Sequence, residues 1–173
     1  IGASTTIAQY VLPGMLASFR RRYPDVKVEM TNGNTESIEE LVASGRIDIG
    51  MIEGKAAGHA LHYELFMNDE LVLVTSVSNS AFRDDEIALE RLPLLPLVVR
   101  ETGSGTLDVL QEALGRAGLS LQGMNVEMQL GSSESIKRYL YKSGDVAFIY
   151  VQTVLDELAQ NKTRIGDVKG IDI

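Results

Sequence analysis

The stretch at 28–38, VEMTNGNTESI, returns 98 positions later at 126–136 as VEMQLGSSESI. Val, Glu, Met, Gly, Glu, Ser and Ile recur in register. The same offset lays Ser4-Thr5-Thr6 over Thr102-Gly103-Ser104, and Leu12 and Leu16 over Leu110 and Leu114. This period is far longer than a solenoid unit, so it reports two lobes of similar build. In each copy the small hydroxyl residues stand where strand-like alternation gives way to helical spacing. Four helix N-termini are thereby in play, and such ends collect anions.

Working outward, the apolar spacing predicts a helix over 7–23 with Ile7, Tyr10, Val11, Leu16, Phe19 and Tyr23 inward, thinned at Pro13-Gly14. A strand over 26–30 follows, then a helix capped at Gly33-Asn34-Thr35 and ended by Gly45, then a strand over 47–52. Residues 61–66 and 71–75 read as two more strands. The second unit repeats the rhythm: strand 97–100, helix 105–117, strand 126–130, helix 133–141, strand 146–149. A helix over 153–159 and a tail strand come last. Alternating strands and helices specify a parallel α/β sheet with crossovers. The expected fold is therefore α/β, with two similar Rossmann-like lobes joined by a hinge of two crossings. Lobe I covers 1–75 plus 152–173 and lobe II covers 76–151, with a cleft between them.

Composition narrows the function. The net charge of -8 argues against nucleic-acid binding by this segment, because phosphate contacts need clustered Lys and Arg. The one basic run, Arg20-Arg21-Arg22, ends a helix, where cations complement the dipole. There is no cysteine, which excludes disulfides and thiolate chemistry and suits a reducing cytosol. No apolar run reaches membrane-spanning length, and a cytoplasmic location is expected. Ile1-Gly2-Ala3 reads as the end of a strand and the tail stops within alternation, as in a fragment of a longer protein.

Ligands of open α/β sheets bind outside the carboxyl ends of the strands. Ser4, Thr5 and Thr6 follow the first strand, and Thr102, Gly103, Ser104 and Thr106 follow its counterpart. Ser132 and Ser133 follow the later strand of lobe II, matching Asn34 and Thr35. Any one of these turns is accounted for as a plain helix cap; four related by the repeat favour a ligand site. Glu36 and Glu134 already place negative charge in their helices' first turns, so the turns at 4–6 and 102–106 are the better anion seats. Arg100 supplies a cation or is an exposed strand end.

No catalytic constellation or cofactor motif emerges. Asp108 stands where a dinucleotide fingerprint needs its third glycine, and no Lys completes a P-loop. A G-x-S-x-G elbow is absent. His59 and His62 lack the further donors a zinc site needs. Asp69-Glu70 and Asp84-Asp85 are adjacent pairs whose side chains diverge on an extended backbone. Lys55 and Lys142 have no evident partner for covalent chemistry.

One ordered series matches a known pattern. It comprises Ile1-Gly2-Ala3-Ser4-Thr5-Thr6-Ile7, Leu12-Pro13 with Phe19 and Tyr23-Pro24, Gly33-Asn34-Thr35, and Gly45-Arg46-Ile47-Asp48-Ile49-Gly50 with Glu53-Gly54. Asp69-Glu70-Leu71-Val72-Leu73-Val74, Arg100-Glu101-Thr102-Gly103-Ser104-Gly105-Thr106 and Gly144-Asp145-Val146-Ala147-Phe148-Ile149 complete it. The set resembles the effector-binding domain of LysR-type transcriptional regulators, in the flavour of regulators of sulfur and carbon assimilation. The resemblance implies a fold like type II periplasmic binding proteins, with a small-molecule effector between the lobes. It also implies DNA binding only through an N-terminal helix-turn-helix outside this chain, association as a homodimer or homotetramer, and no membrane contact. Carried over by position, the effector contacts are Ser4, Thr5, Thr6, Thr102, Ser104 and Ser132, with the region of Phe148 lining the cleft. Many relatives carry Arg after the Gly-Ser-Gly-Thr run where this chain has Leu107. The expected function is sensing of a small anionic metabolite; a transporter's solute-binding protein is the alternative, and an enzyme on the same scaffold a further rival.

Overall fold

The computed structural model describes residues 1–54, 61–80 and 86–171. The chain divides into two compact units, Ile1–Met67 with Gly103–Gly105, and Asn68–Thr102 with Thr106–Ile173. Lys55, His59 and Asp84-Asp85 lie outside the described residues.

In the first unit β1 (Gly2–Ser4) is the centre of a parallel sheet, with β2 (Thr31–Gly33) on one side and β3 (Gly50–Met51) on the other. A π-helical turn at Ile7–Val11 leads into α1 (Leu12–Arg22), and the change falls just before Pro13, which has no N–H to continue a hydrogen-bond ladder. Arg20, Arg21 and Arg22 fill the last turn of α1. Asn34 caps α2 (Thr35–Ala43) by accepting the Ser37 amide at 2.9 Å. Ala3, Ala8 and Leu12 form the core on one sheet face, and Ile38 of α2 is fully buried. A Cβ on Gly50 would sit within 3.0 Å of Ile38 and Val42, so glycine there lets α2 lie close to the sheet.

Three expectations change here. Residues 26–30 form no strand, because β1 registers with Thr31–Gly33, and Val26, Val28 and Met30 are exposed. Phe19 and Tyr23 are exposed instead of inward; they stack on each other at 4.9 Å at the end of α1. Residues 61–66 pair with no described strand, and Leu65 and Phe66 face solvent.

The second unit holds a six-stranded sheet in the order β5-β9-β4-β8-β6-β7. Its strands are β4 (Leu71–Ser76), β5 (Glu86–Ile87), β6 (Leu97–Arg100), β7 (Val126–Leu130), β8 (Val146–Tyr150) and β9 (Thr163–Val168). Its helices are α3 (Gly105–Arg116), α4 (Ser133–Leu140) and α5 (Leu155–Ala159). Within it β6 lies between β7 and β8, all parallel, as β1 lies between β2 and β3. That arrangement is the sequence repeat made structural. The cap repeats too: Ser132 accepts the Ser135 amide at 3.1 Å, 98 positions after Asn34 and Ser37.

Alternation along the strands builds two cores. Leu73, Leu97, Val99 and Phe148 pack with Leu107, Leu110 and Leu114 of α3 on one face. Val72, Val74, Val98, Ala147 and Ile149 pack with Ile136 and Leu140 of α4 on the other. Leu107 therefore joins the hydrophobic core. Lys137 of α4 is buried yet satisfied: its Nζ donates to the Thr153 carbonyl (2.7 Å) and meets Glu157 Oε1 (2.8 Å) and Glu134 Oε1 (2.7 Å). The tail returns to the strand at 71–76, which the expected first lobe included up to residue 75. Strand β9 pairs antiparallel with β4 and parallel with β5, and α5 packs against β9, so both belong to the second unit.

Candidate functional site

The carboxyl ends of β1, β2 and β3 gather the buried polar residues of the first unit. Ser4 and Thr6 are almost fully buried, and the Thr5 hydroxyl donates to the Gly33 carbonyl at 2.9 Å, tying the turn to the end of β2. The Gly103–Gly105 segment joins them. Its Gly103 carbonyl accepts the Glu36 amide (3.2 Å), and its Gly105 amide donates to Thr35 Oγ1 (3.2 Å). The Thr35 hydroxyl in turn donates to the Glu53 carbonyl at 3.3 Å. Gly103 adopts φ +82°, a left-handed backbone that glycine takes without strain, and a Cβ there would press on Glu36 and Asn34. A Cβ on Gly105 would collide with the Glu53 carbonyl.

These bonds sort the four helix N-termini. At α2 the Ser37 amide is taken by Asn34 and the Glu36 amide by Gly103, with Glu36 adding negative charge. At α4 Ser132 takes the Ser135 amide, and Glu134 stands in the first turn. Both ends are closed by the chain itself. The turn at 4–6 has no side-chain cap at Thr6 and no acid in the first turn that follows. At α3 the first-turn acid is Asp108.

Several site hydroxyls keep their hydrogen-bonding capacity. Ser4 Oγ, Ser104 Oγ and Thr106 Oγ1 are buried with no hydrogen-bond partner among the described residues. In the second unit Arg100 is 2% exposed and forks onto its neighbour, Nε to Glu101 Oε2 at 2.8 Å and Nη2 to Oε1 at 3.0 Å. Its Nη1 is buried with no partner among the described residues. Arg100 is thus an interior cation rather than an exposed strand end. A buried donor left unpaired costs about 1–3 kcal/mol, so such groups call for a reason.

The structure brings Ser4, Thr5, Thr6, Gly103 and Ser104 together with Thr35 and Glu53. Arg100 ends β6 and Thr106 lies in the first turn of α3, while Thr102 is exposed. Ser132 is spent as a cap and Ser133 is fully buried behind it. Phe148 belongs to the α3-side core with Leu107, and it lines an open recess of about 670 Å³ with Leu71, Leu73 and Val168. Sequence reasoning missed Thr35 as a bridge and Glu53 as a buried acid. Both follow parallel strands directly, at the position where the hydroxyl turns were found.

Other polar groups show no comparable arrangement. His62 pairs with Glu64 in solvent at 3.2 Å, and Lys142 is exposed. No group of three metal-ligating side chains occurs among the described residues. No described helix is long and apolar enough to cross a membrane.

Comparison with known proteins agrees with this geometry. The chain is 33% identical over 159 residues to the uncharacterized HTH-type transcriptional regulator YeiE of Escherichia coli K12, covering 91% of this chain and 53% of that protein. It is 28% identical over 171 residues to the HTH-type transcriptional activator CmpR of Synechocystis, covering 99% and 55%. The chain spans about half the length of the curated relatives it matches. Among solved structures, the CcmR regulatory domain from Synechocystis, in complex with 2-PG, superposes with a TM-score of 0.85 at 24% identity, over 98% of this chain and 80% of that one. The LysR substrate binding domain model matches residues 1–172, and the chain belongs to that family.

Proposed function

We propose that this chain is the sensing domain of a LysR-type transcriptional regulator and that its effector is a small anionic metabolite held by hydroxyl turns at the carboxyl ends of its strands. Ser4, Thr6, Thr102, the Gly103 backbone, Ser104 and Thr106 supply donors, Thr5 braces the turn through Gly33, and Arg100 supplies positive charge. The observation that carries this is the set of buried hydroxyls and the buried guanidinium nitrogen without partners among the described residues, at the corresponding ends of β1 and β6. A protein retains such groups at a cost when a ligand repays it. An effector that favours one arrangement of the domain shifts the attached DNA-binding heads by its differential affinity.

The same proposal makes the chain a non-enzyme acting in the cytoplasm, with DNA contacted only through an N-terminal domain. The regulators YeiE and CmpR among its relatives favour this over a transporter's solute-binding protein. Association with a second copy is supported by exposed Val28 and Met30 and their repeat mates Val126 and Met128. Light scattering at micromolar concentration is expected to give a dimer or tetramer; a monomer throughout contradicts that part.

A thermal-shift screen tests the sensing role, using sulfate, phosphate, citrate, phosphorylated sugars, aromatic acids and amino acids. A ligand at a hundred times its Kd adds about 2.7 kcal/mol of stability. At least one anion is expected to raise the midpoint in the wild type and not in a Ser4→Ala/Ser104→Ala variant. If no compound shifts it at millimolar concentration, the hydroxyl turns are helix caps and the proposal fails.

A further inference from the structure

We infer that the group held at Arg100 is a singly charged carboxylate and not a doubly charged phosphate, and that Glu101 sets this choice; the inference rests on the sensing role just proposed. The buried cations of the second unit are Arg100 and Lys137. Lys137 is committed to the fold, since its Nζ meets the Thr153 carbonyl, Glu157 and Glu134. Arg100 is only partly committed, because its Nη1 is buried with no hydrogen-bond partner among the described residues. Thr106 Oγ1, in the first turn of the helix that follows β6, is buried in the same condition.

The pairing of Arg100 with Glu101 depends on where β6 stops. Successive side chains of a strand point to opposite faces, so sequence neighbours inside one cannot fork onto each other. β6 ends at Arg100, whose carbonyl accepts the Gln129 side-chain amide at 3.1 Å. Glu101, just past that end, takes Nε at 2.8 Å and Nη2 at 3.0 Å. One edge of the guanidinium is thereby filled, and Nη1 is the nitrogen left for a ligand. The pair also carries no net charge.

That cancellation decides which anion fits. A cation without a counter-charge attracts a dianion about twice as strongly as a monoanion. The attraction offsets the larger cost of stripping water from the dianion, a cost that rises steeply with charge. Beside a neutral pair most of the offset is gone while the cost remains. What is left is directed hydrogen bonding from Nη1 and the Thr106 hydroxyl, which the oxygens of a carboxylate satisfy. Binding of this kind is little affected by salt, unlike binding driven by net charge.

The test uses pairs that exchange carboxylate for phosphate: glycerate and glycerol 3-phosphate, benzoate and phenyl phosphate, with sulfate and phosphate as simple anions. Each is titrated calorimetrically at pH 8, where a phosphate monoester carries close to two charges. The carboxylate member of at least one pair is expected to bind wild type about tenfold tighter than its partner, with similar affinity in low and high sodium chloride. Glu101→Gln keeps an acceptor and removes the charge, so it should tighten the phosphate member more, erase the preference and make binding salt-dependent. Glu101→Asp keeps the charge and should keep the preference. Melting curves establish that both variants fold; if Glu101→Gln does not, the wild-type preference and its salt response decide. Tighter binding of the phosphate members to wild type overturns the inference. So does a carboxylate affinity that collapses in salt, a preference unchanged in Glu101→Gln, or one lost equally in Glu101→Asp. Binding of sulfate or phosphate with no carboxylate overturns it too and leaves the sensing role standing. Silence across the whole panel overturns both.

Discussion

Replacing Gly105 by alanine separates two opposed effects of one methyl group. Alanine is favoured over glycine within a helix by up to about 1 kcal/mol. At Gly105, the first residue of α3, the new Cβ collides with the Glu53 carbonyl and sits 2.8 Å from Thr35 Oγ1. Two of the obstructing atoms belong to the Glu53 backbone and cannot swing aside as a flexible side chain would. Overpacking of this kind costs about 1–3 kcal/mol, and moving the segment away also loses the Gly105–Thr35 hydrogen bond, about 1 kcal/mol more. The clash wins, by roughly 1–3 kcal/mol after the helix gain is subtracted. Gly115, in the same helix, is the control: nothing lies within 4 Å of its Cβ. There alanine should stabilise by about 0.5–1 kcal/mol. At about 2–4 °C per kcal/mol for a chain of this size, Gly105→Ala lowers the melting midpoint by several degrees and Gly115→Ala raises it by a few. Thermal unfolding followed by circular dichroism reads both. If Gly105→Ala melts at or above wild type, the close approach of that segment to Glu53 is refuted.

Other outcomes follow from the same contacts. Lys137→Met strands Glu157 beside an apolar side chain and is expected to cost about 3 kcal/mol in urea unfolding, whereas Lys137→Met/Glu157→Gln recovers part of the loss; equal costs would show that charge pairing does not hold α4. Asn34→Ala and Ser132→Ala each remove one cap and should destabilise by about 1 kcal/mol; a neutral result at either would remove that cap from the account. Burial holds the Asp69 carboxyl above its usual value, partly offset by the backbone amides of Glu70 and Gln152. A raised carboxyl pKa in the folded state favours the protonated form there. Wild type should therefore lose stability relative to Asp69→Asn as pH rises from the ordinary aspartate range through the raised folded value. The opposite trend in paired urea melts would contradict the assignment.

Much of this was legible in the sequence because the informative elements are local. Continuous apolar runs identify β4, β6 and β8, since strands buried on both faces need no alternation. The caps at Asn34 and Ser132 and the hydroxyl turns are local signals, and the repeat places them at matching strand ends. What was not legible depends on partners. The apolar alternation at 26–30 suits a strand, but a strand also needs a ladder, and β1 offers its register to Thr31–Gly33. The helical spacing of Phe19 and Tyr23 tells which way they face, not whether anything covers them. Glu53 looks in sequence like any acid closing an apolar run; its burial comes from Thr35 and the Gly103–Gly105 segment, neither adjacent in the chain. Arg100 reads equally as an exposed strand end until Glu101 and the packing around β6 enclose it.

The most direct test of the sensing role is calorimetric titration of the compound giving the largest stabilisation in the screen, into wild type and into Ser4→Ala/Ser104→Ala. Each hydroxyl that donates to an anionic group is worth about 1.5–3 kcal/mol, so losing both should weaken binding about a hundredfold or more. The double variant should still fold, because neither hydroxyl has a partner among the described residues. Binding that survives unchanged in the double variant would place the effector elsewhere and contradict the account.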